Sequence, residues 1–222
     1  GRLVIDHGRV TSTSQGSGRA GTLDVEASDL VQILDGKLES DTFGSGQGGL
    51  VHVKAPLVRL EDYGEISSES QQVRIEVPGG GDSGTVLLEV GRLEVDSRGR
   101  ILTNARGEGG GGLIHVRASE SVDLDAVASD GVDSARIISL AEGNGAGGDV
   151  VIETPRLRVG TFSRIETSSN GSSGEGSPVR RTGRAGNIWI RADDVLVESN
   201  ARIASDSHDP RLNEGPAGTI TL

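Results

Sequence analysis

The sequence contains no cysteine and no methionine, and its aromatic residues are two phenylalanines, one tyrosine and one tryptophan. Without cysteine, the chain cannot form disulfides or thiolate metal sites. No apolar stretch approaches the roughly 20 residues that a membrane-spanning helix needs. Acidic residues outnumber basic ones by 33 to 22, and the net charge of −11 disfavours nucleic acid or an anionic membrane as a partner. The apolar residues that remain are mainly Val, Ile, Leu and Ala, which suit a core of stacked parallel strands.

Glycine, by contrast, is abundant, with 35 residues. Seven of these glycines recur in phase, at equivalent positions of a sequence repeat. The in-phase glycines are each followed, two and four residues later, by aliphatic residues: Gly21, Gly49, Gly84, Gly112, Gly148, Gly186 and Gly218. Strand side chains alternate between two faces, so the aliphatic positions, such as Val86 and Leu88, predict an inward face. The residue between them is of mixed type, as in His52 and Trp189, which predicts an outward face. We expect the glycines to form tight corners.

A charged residue lies five positions after most of these glycines, and its sign reverses at every copy. The column consists of Glu26, Lys54, Glu89, Arg117, Glu153 and Arg191. Alternation is expected if successive copies stack, because opposite charges then face each other. The column therefore predicts a coiled ladder of parallel strands, with a shortest repeat of 28 residues between Gly21 and Gly49.

Two further segments recur in each repeat. One has a small residue, an aliphatic residue two positions later and a hydroxyl four positions later; the hydroxyl column is Ser12, Ser40, Ser68, Thr103, Ser139, Thr167 and Ser205. By parity the hydroxyls face inward, and each is expected to find a hydrogen-bond partner on the next rung, because a buried hydroxyl without one would cost about 1–3 kcal/mol. The other is a short alternating segment, such as residues 58–60. These patterns predict an all-β fold, a single-stranded parallel β-helix (β-solenoid) with three strands per coil and about seven coils.

The domain organisation follows from the unbroken repeat. We expect one continuous β-solenoid over residues 1–222 that is a fragment of a longer repeat protein or associates end to end with other copies. The spacing between the hydroxyl and the next glycine varies, which predicts corner insertions at residues 69–83, 168–185 and 206–217, and the displaced anchor residue Ala135 predicts another at residues 126–134. Insertions on a rigid scaffold are common sites of binding specificity. Asn170-Gly171-Ser172 is also a formal glycosylation sequon.

The last repeats carry a family resemblance. Residues 183–192, 195–205 and 215–222 resemble the repeat of large filamentous haemagglutinin-type exoproteins, which runs Gly-Asn-Ala-Gly-Asn-Ile-x-Ile-x-Ala, an aliphatic strand and Gly-Ala-x-Ile-Ser-Ser. The resemblance implies a right-handed parallel β-helix, export by two-partner secretion and a location at a bacterial cell surface or in the medium. The family's amino-terminal secretion domain has no match in the chain, so the resemblance is to the repeat-bearing shaft.

Two sets of acidic residues could support catalysis. Asp123 and Asp125 lie on one strand, and Glu26, Lys54 and Glu89 place two carboxylates around an amine. Glycosidic hydrolysis needs two carboxyl groups about 5–9.5 Å apart in unlike environments. Neither set has aromatic neighbours that would bind a sugar ring, so we predict no enzymatic activity. A carbohydrate-active β-helix enzyme and a self-assembling filament subunit stay open as alternatives.

The sequence predicts no cofactor and no metal site. His52 and His115 lie two rungs apart, roughly 9–10 Å, which is too far for one shared metal ion. Asp123, Asp125, Asp130 and Asp133 could gather around calcium. Their spacing does not match an EF-hand loop, and an acidic solvent-exposed loop is the alternative.

A second charged column follows the small anchor residues: Arg9, Lys37, Glu65, Arg100, Arg136, Arg164 and Arg202. It predicts either a site for an anionic glycan or acidic partner, or a stripe that neighbours such as Asp35, Glu39 and Glu166 neutralise. Together the patterns predict a non-catalytic extracellular shaft, an adhesin-type spacer or a surface that binds host cells, neighbouring cells or glycans, with no membrane insertion.

Overall fold

The computed structural model describes residues 1–71, 80–96, 98–125, 134–143, 145–170, 183–208 and 215–222. Within these ranges the regular structure consists of parallel β-strands. The strands are β1 (Arg2–Asp6), β2 (Arg9–Ser14), β3 (Thr22–Glu26), β4 (Leu30–Leu34), β5 (Lys37–Phe43), β6 (Leu50–Glu61), β7 (Glu65–Ser67), β8 (Ser70–Gln71), β9 (Thr85–Asp96), β10 (Arg100–Gly107), β11 (Leu113–Asp125), β12 (Arg136–Gly143), β13 (Asp149–Glu153), β14 (Arg156–Val159), β15 (Arg164–Asn170), β16 (Ile188–Arg191), β17 (Asp194–Val197), β18 (Arg202–His208) and β19 (Ile220–Thr221). In the described part of the chain, no helix has the length and apolar character needed to cross a membrane.

The strands form two parallel sheets between which the chain passes repeatedly. The first sheet has the order β1-β4-β6-β9-β11-β13-β16-β19, with β3, β14 and β17 paired beside this path. The second sheet has the order β18-β15-β12-β10-β7-β5-β2, with β8 beside β10 and β5. The architecture is therefore all-β and solenoid-like, and each repeat contributes strands to both sheets.

Two of the three predicted segments join within the first sheet. Strand β6 pairs with β3 through Leu50–Lys54 and with β4 through residues 57–61, so one strand carries both segments. The ladder continues across the bend because Ala55 pairs with Val90 of the next repeat. Elsewhere the same segments are separate strands, as in β13 and β14.

The core lies between the sheets and consists of the predicted aliphatic columns. Val86, Leu88, Ile114 and Ile152 are fully buried, and burial of each such side chain contributes about 1.5–3 kcal/mol. The parity prediction is therefore confirmed in the inner repeats. In the last strand the same columns are exposed, as at Leu222, because no described strand covers them.

The hydroxyl column is buried from Ser40 onward, as predicted, and its hydroxyls have hydrogen-bond partners. Ser68 Oγ donates to the carbonyl oxygen of Gly49 at 3.0 Å, and Thr167 Oγ1 donates to that of Gly186 at 2.9 Å. Thr103 Oγ1 donates to a hydroxyl, Ser139 Oγ, at 2.8 Å. The sequence predicts that the hydroxyls have partners in the stack but not which atoms these are, and in most of these repeats the partner is a glycine carbonyl at the corner.

Close approach explains the in-phase glycines. A Cβ atom at Gly84 would lie 1.9 Å from the carbonyl oxygen of Gly49 and 2.3 Å from Ser68 Oγ. Among the described glycines, positive φ occurs only at Gly107 and Gly143, which are outside the in-phase column. These glycines are therefore explained by the space that the hydroxyl and the neighbouring backbone occupy at the corner, and not by a left-handed backbone conformation.

The left-handed corners lie elsewhere and are turned by larger residues. Tyr63, Arg98, Phe162 and Asn200 have positive φ, and each directly precedes a small anchor residue. The Arg98 guanidinium lies 4.7 Å from the centre of the Tyr63 ring on the neighbouring repeat. This cation–π contact lines up two consecutive corners.

Three of the predicted insertions begin with residues that still belong to paired strands. Residues 70–71, 168–170 and 206–208 belong to β8, β15 and β18. Parity continues through them, since Ser169 Oγ donates to the Gly145 carbonyl oxygen at 2.8 Å. Residues 72–79, 126–133, 171–182 and 209–214 lie outside the described residues.

Candidate functional site on the second sheet

The alternating column of the first sheet stacks as predicted. Lys54 pairs in register with Glu26 and with Glu89, and Arg117 pairs with Glu89 and with Glu153. Lys54 Nζ lies 3.3 Å from Glu26 Oε1, and Arg117 lies 3.8 Å from Glu89 and 3.3 Å from Glu153. A groove of about 1070 Å³ follows this column over a floor that includes Ala55 and Ala118.

The carboxylates proposed from the sequence are held within ion-pair ladders. Asp125 Oδ2 accepts from Arg158 Nη1 at 3.1 Å, and Asp123 Oδ2 accepts from Ser121 Oγ at 2.7 Å. Arg158 also donates to Glu198 at 2.8 Å, and these two acidic partners raise its pKa. Asp123 and Asp125 therefore behave as structural members of the first sheet.

The two histidines are also paired with acids. His52 lies 2.9 Å from Asp24 and 3.1 Å from Glu89, and His115 lies 2.8 Å from Glu153. The hydrogen bond from His115, followed by that from Arg117, lowers the pKa of Glu153. Among the described residues, no group of three His, Asp or Glu side chains could hold a metal ion. The calcium hypothesis also involves Asp130 and Asp133, which lie outside the described residues.

The outer face of the second sheet is different because it buries charge. Glu39, Asp41, Glu65 and Glu69 are all buried although they point away from the core. Glu65 is held by two cations, since Lys37 Nζ lies 2.8 Å from its Oε1 and Arg100 Nη2 lies 2.9 Å from its Oε2. Paired in this way, the Glu65 charge is compensated within the sheet.

Asp41 and Glu69 are less completely compensated. Asp41 Oδ1 accepts the backbone N–H of Glu69 at 2.9 Å, but burial, aided by the nearby Glu69, Glu39 and Glu65, raises the pKa of Asp41 to about 7. Burial and the adjacent Glu65 also raise the pKa of Glu69. A carboxyl group in this setting can carry a proton near neutral pH.

The basic column stacks in register on this face. Arg136 pairs with Arg100 on one side and with Arg164 on the other, so three guanidinium groups follow one another. Burial, then the like charges of Arg164 and Arg100, lowers the pKa of Arg136. Parity places Arg100, Arg136 and Arg164 on the outer face and predicts that they are exposed, but they are half-buried, because long side chains can lay their apolar stems along neighbouring groups.

A cavity of about 370 Å³ opens on this face. Its described lining combines cations, acids, amides and aliphatic side chains: Lys37, Glu65, Glu69, Gln71, Arg100, Leu102, Asn104, Arg106, Arg136, Ile138, Leu140 and Glu142. A volume near 300–1,000 Å³ is usual for small-ligand sites. Sequence reasoning found the members of the second charged column, which are Lys37, Glu65, Arg100 and Arg136. It missed Arg106, the acids Glu69 and Glu142, Asn104 and the aliphatic residues.

A signal for the missed acids exists in the sequence. Asp41 and Glu69 each follow a hydroxyl of the inward column by one residue, in consecutive repeats. Acids at the same offset in stacked repeats are the opposite of the alternation in the first sheet. Asn104 occurs at this offset only once and gives no periodic signal.

The fold and site define a solenoid-like repeat protein with a polar cavity on its outer face. No family model, no curated protein and no solved structure matches the chain.

Proposed function

We propose that the chain is part of a non-catalytic extracellular β-helix shaft that acts as an adhesin-type spacer and presents its outer faces to a cell surface or a glycan. The observation that carries the proposal is the continuous parallel ladder from β1 to β19. Such a ladder is stiff along its length and leaves chemical variety to its outer faces.

The finer features of the proposal come from the sequence repeat, for the number of strands and coils, and from the family resemblance, for the handedness and the secretion route. They are a right-handed β-helix with three strands per coil and about seven coils, kinship with the shafts of filamentous haemagglutinin-type exoproteins, and two-partner secretion to a bacterial surface or the medium. The acidic sequence candidates support the absence of catalysis, because Asp125 and Glu89 face cations at 3.1 and 3.8 Å. Their charges are accounted for by neighbouring strands.

Adhesion of chain-coated beads tests this function. Beads carrying the folded chain are expected to adhere to target cells, and soluble chain is expected to compete. Beads coated with the heat-unfolded chain are the control for non-specific binding. Absence of adhesion to every cell type tested, together with absence of glycan binding, would overturn the proposal.

A second candidate, a carbohydrate-active enzyme, is favoured by Asp41 alone. Its raised pKa of about 7 is the property of a general acid at neutral pH. The test is release of reducing ends or unsaturated products from polysaccharides by the parent chain, by Asp41→Asn and by Glu69→Gln, with Glu89→Gln on the first sheet as control. Cleavage that is lost only in the first two variants would establish the enzyme; no cleavage by the parent would exclude it for those substrates.

A further inference from the structure

The face of the second sheet has a local surplus of positive charge in an acidic protein. Arg100, Arg136 and Arg164 face one another on adjacent strands, and like charges directly opposite each other are destabilising. Arg136 Nε donates to Ser134 Oγ at 2.7 Å, and Glu166, the acid that acts on its charge, is engaged by Arg202 at 3.4 Å. A bound anion at Arg136 would relieve the repulsion.

The acids that line the cavity already have cationic or amide partners. Glu65 lies between Lys37 and Arg100, at 2.8 and 2.9 Å. Glu142 lies 3.6 Å from Arg106 and accepts from Asn104 Nδ2 at 3.2 Å. The unsatisfied demand for an anion is therefore concentrated at Arg136.

Asn104 supplies an independent observation. Its side chain lines the cavity and is 8% exposed, and its Oδ1 has no hydrogen-bond partner. Buried polar atoms are nearly always bonded, so an orphaned acceptor needs a physical account. A ligand hydroxyl that donates to Oδ1 would provide one.

An apolar platform lies between these polar groups. Leu102, Ile138 and Leu140 point outward, are half-buried and line the same cavity. Leu102 pairs with Ile138, and Asn104 pairs with Leu140. Aliphatic side chains flanked by a hydroxyl acceptor and a guanidinium match the apolar ring face, the hydroxyls and the carboxylate of an acidic sugar.

We propose that this face binds a carboxylated sugar residue of a glycan, with its carboxylate on Arg136, a hydroxyl on Asn104 Oδ1 and its ring over Leu102, Ile138 and Leu140. The proposal rests on the proposed function, since it names the ligand class for a glycan-binding shaft. Among the described lining residues there is no aromatic side chain, which disfavours stacking of a nucleobase. An acidic peptide could satisfy Arg136 but has no hydroxyl-bearing ring for the remaining groups.

Calorimetry with defined hexamers tests the site. The probes are hexagalacturonate and hexamannuronate, the methyl-esterified hexagalacturonate as a neutral match, and hexaglutamate as a peptide of equal charge. The parent is expected to bind at least one of the two carboxylated sugars, at least tenfold more tightly than the ester and than hexaglutamate. Binding should weaken as NaCl is raised from 50 to 300 mM.

Two variants and one control locate the binding. Arg136→Gln is expected to weaken sugar binding at least tenfold. Asn104→Leu is expected to weaken binding at least fivefold and to leave the chain folded at the assay temperature, because loss of the hydrogen bond to Glu142 is offset by removal of a buried acceptor without a partner. Arg92→Gln, an exposed arginine of the first sheet, should leave binding unchanged.

Several outcomes would overturn the proposal that this face binds a carboxylated sugar. They are absence of binding to both carboxylated hexamers, equal binding of hexaglutamate, or unchanged binding in Arg136→Gln. Loss of binding in Asn104→Leu that accompanies unfolding would instead be resolved by the Arg136 variant. Bead adhesion to cells is measured separately, so the site can fail while the adhesive function stands.

Discussion

Two columns of charged side chains run along the outside of the protein, one on each sheet, and they obey different rules. In the first sheet the charges alternate and the side chains are well exposed, from 40% at Glu89 to 74% at Glu26. In the second sheet six of seven residues are basic, and the single acid, Glu65, has a side chain that is only 3% exposed.

This difference shows that charged side chains can stack in register without an opposite charge on each neighbouring strand. The exposed alternating pairs contribute no more than about 1 kcal/mol each, so alternation there is a mild, distributed preference. In the second sheet one buried carboxylate holds two cations, while Arg136 is left between like charges. On this half-buried face the charges do not alternate, and binding of an anionic partner would explain why.

The largest effect on stability should come from removing the charge of Glu65, the buried acid of the second sheet. Glu65→Gln leaves Lys37 and Arg100 without their shared buried partner, and we expect a loss of about 3 kcal/mol in the free energy of unfolding. Glu89→Gln, the matched change on the first sheet, should cost less than about 1 kcal/mol. Urea denaturation of both variants measures the difference, and equal losses would contradict the contrast between the two faces.

The next effect concerns pH and has opposite signs on the two sheets. The pKa of Asp41 is raised from 3.8 to about 7 in the folded protein, so its favourable contribution is complete below about pH 4 and is lost as pH rises through 7. Asp41→Asn keeps an acceptor for the Glu69 N–H. It should therefore raise stability at pH 8 by about 2 kcal/mol and change it little at pH 4.

Glu153 on the first sheet provides the control for this pH effect. His115 and Arg117 lower its pKa, so its contribution is present above the ordinary value of 4.5 and is lost as pH falls through the lowered pKa. Glu153→Gln should thus reduce stability slightly at pH 7 and have no effect at pH 2–3. Denaturation curves across pH 2–8 that show the same sign for both variants would refute the assignment.

The smallest effect on stability should come from substitutions that create alternating charge in the second sheet or remove it from the first. Arg136→Glu creates alternation in the second sheet and is expected to stabilise by about 0.5–1 kcal/mol. Lys54→Glu destroys alternation in the first sheet and should destabilise by a similar amount. Thermal melts at low and high salt measure both changes, which should shrink as salt increases; a loss of stability in Arg136→Glu would mean that packing of the arginine stem outweighs its charge.

Much of the ladder could be predicted because a strand has a period of two and a repeat protein shows that period many times. The inward columns, the outward charges and the register of Lys54 with Glu89 all follow from these two facts. The hydroxyl partners could not be predicted, since the distance from Ser68 to the Gly49 carbonyl depends on how sharply the chain turns between the sheets.

The candidate site was predictable only in its repeated part. The basic column is periodic, and the sequence therefore indicates Arg100, Arg136 and Arg164. The burial of Asp41 and Glu69 depends on which side chains surround them on the outward face. Parity predicts which face of the strand a residue lies on, but not how deeply its side chain is buried there. Asn104 Oδ1 lacks a hydrogen-bond partner for a geometric reason that no residue pattern expresses.

The alternating column also limits how this protein can change in length. Removal of residues 49–83 would join Gly48 to Gly84 with the glycine phase preserved, yet it would place Glu26 against Glu89. Removal of residues 49–111 would join Gly48 to Gly112, restore the local Gly-Gly-Leu sequence and place Glu26 against Arg117. Charge thus favours variants that differ by even numbers of repeats, by no more than about 1 kcal/mol at each junction.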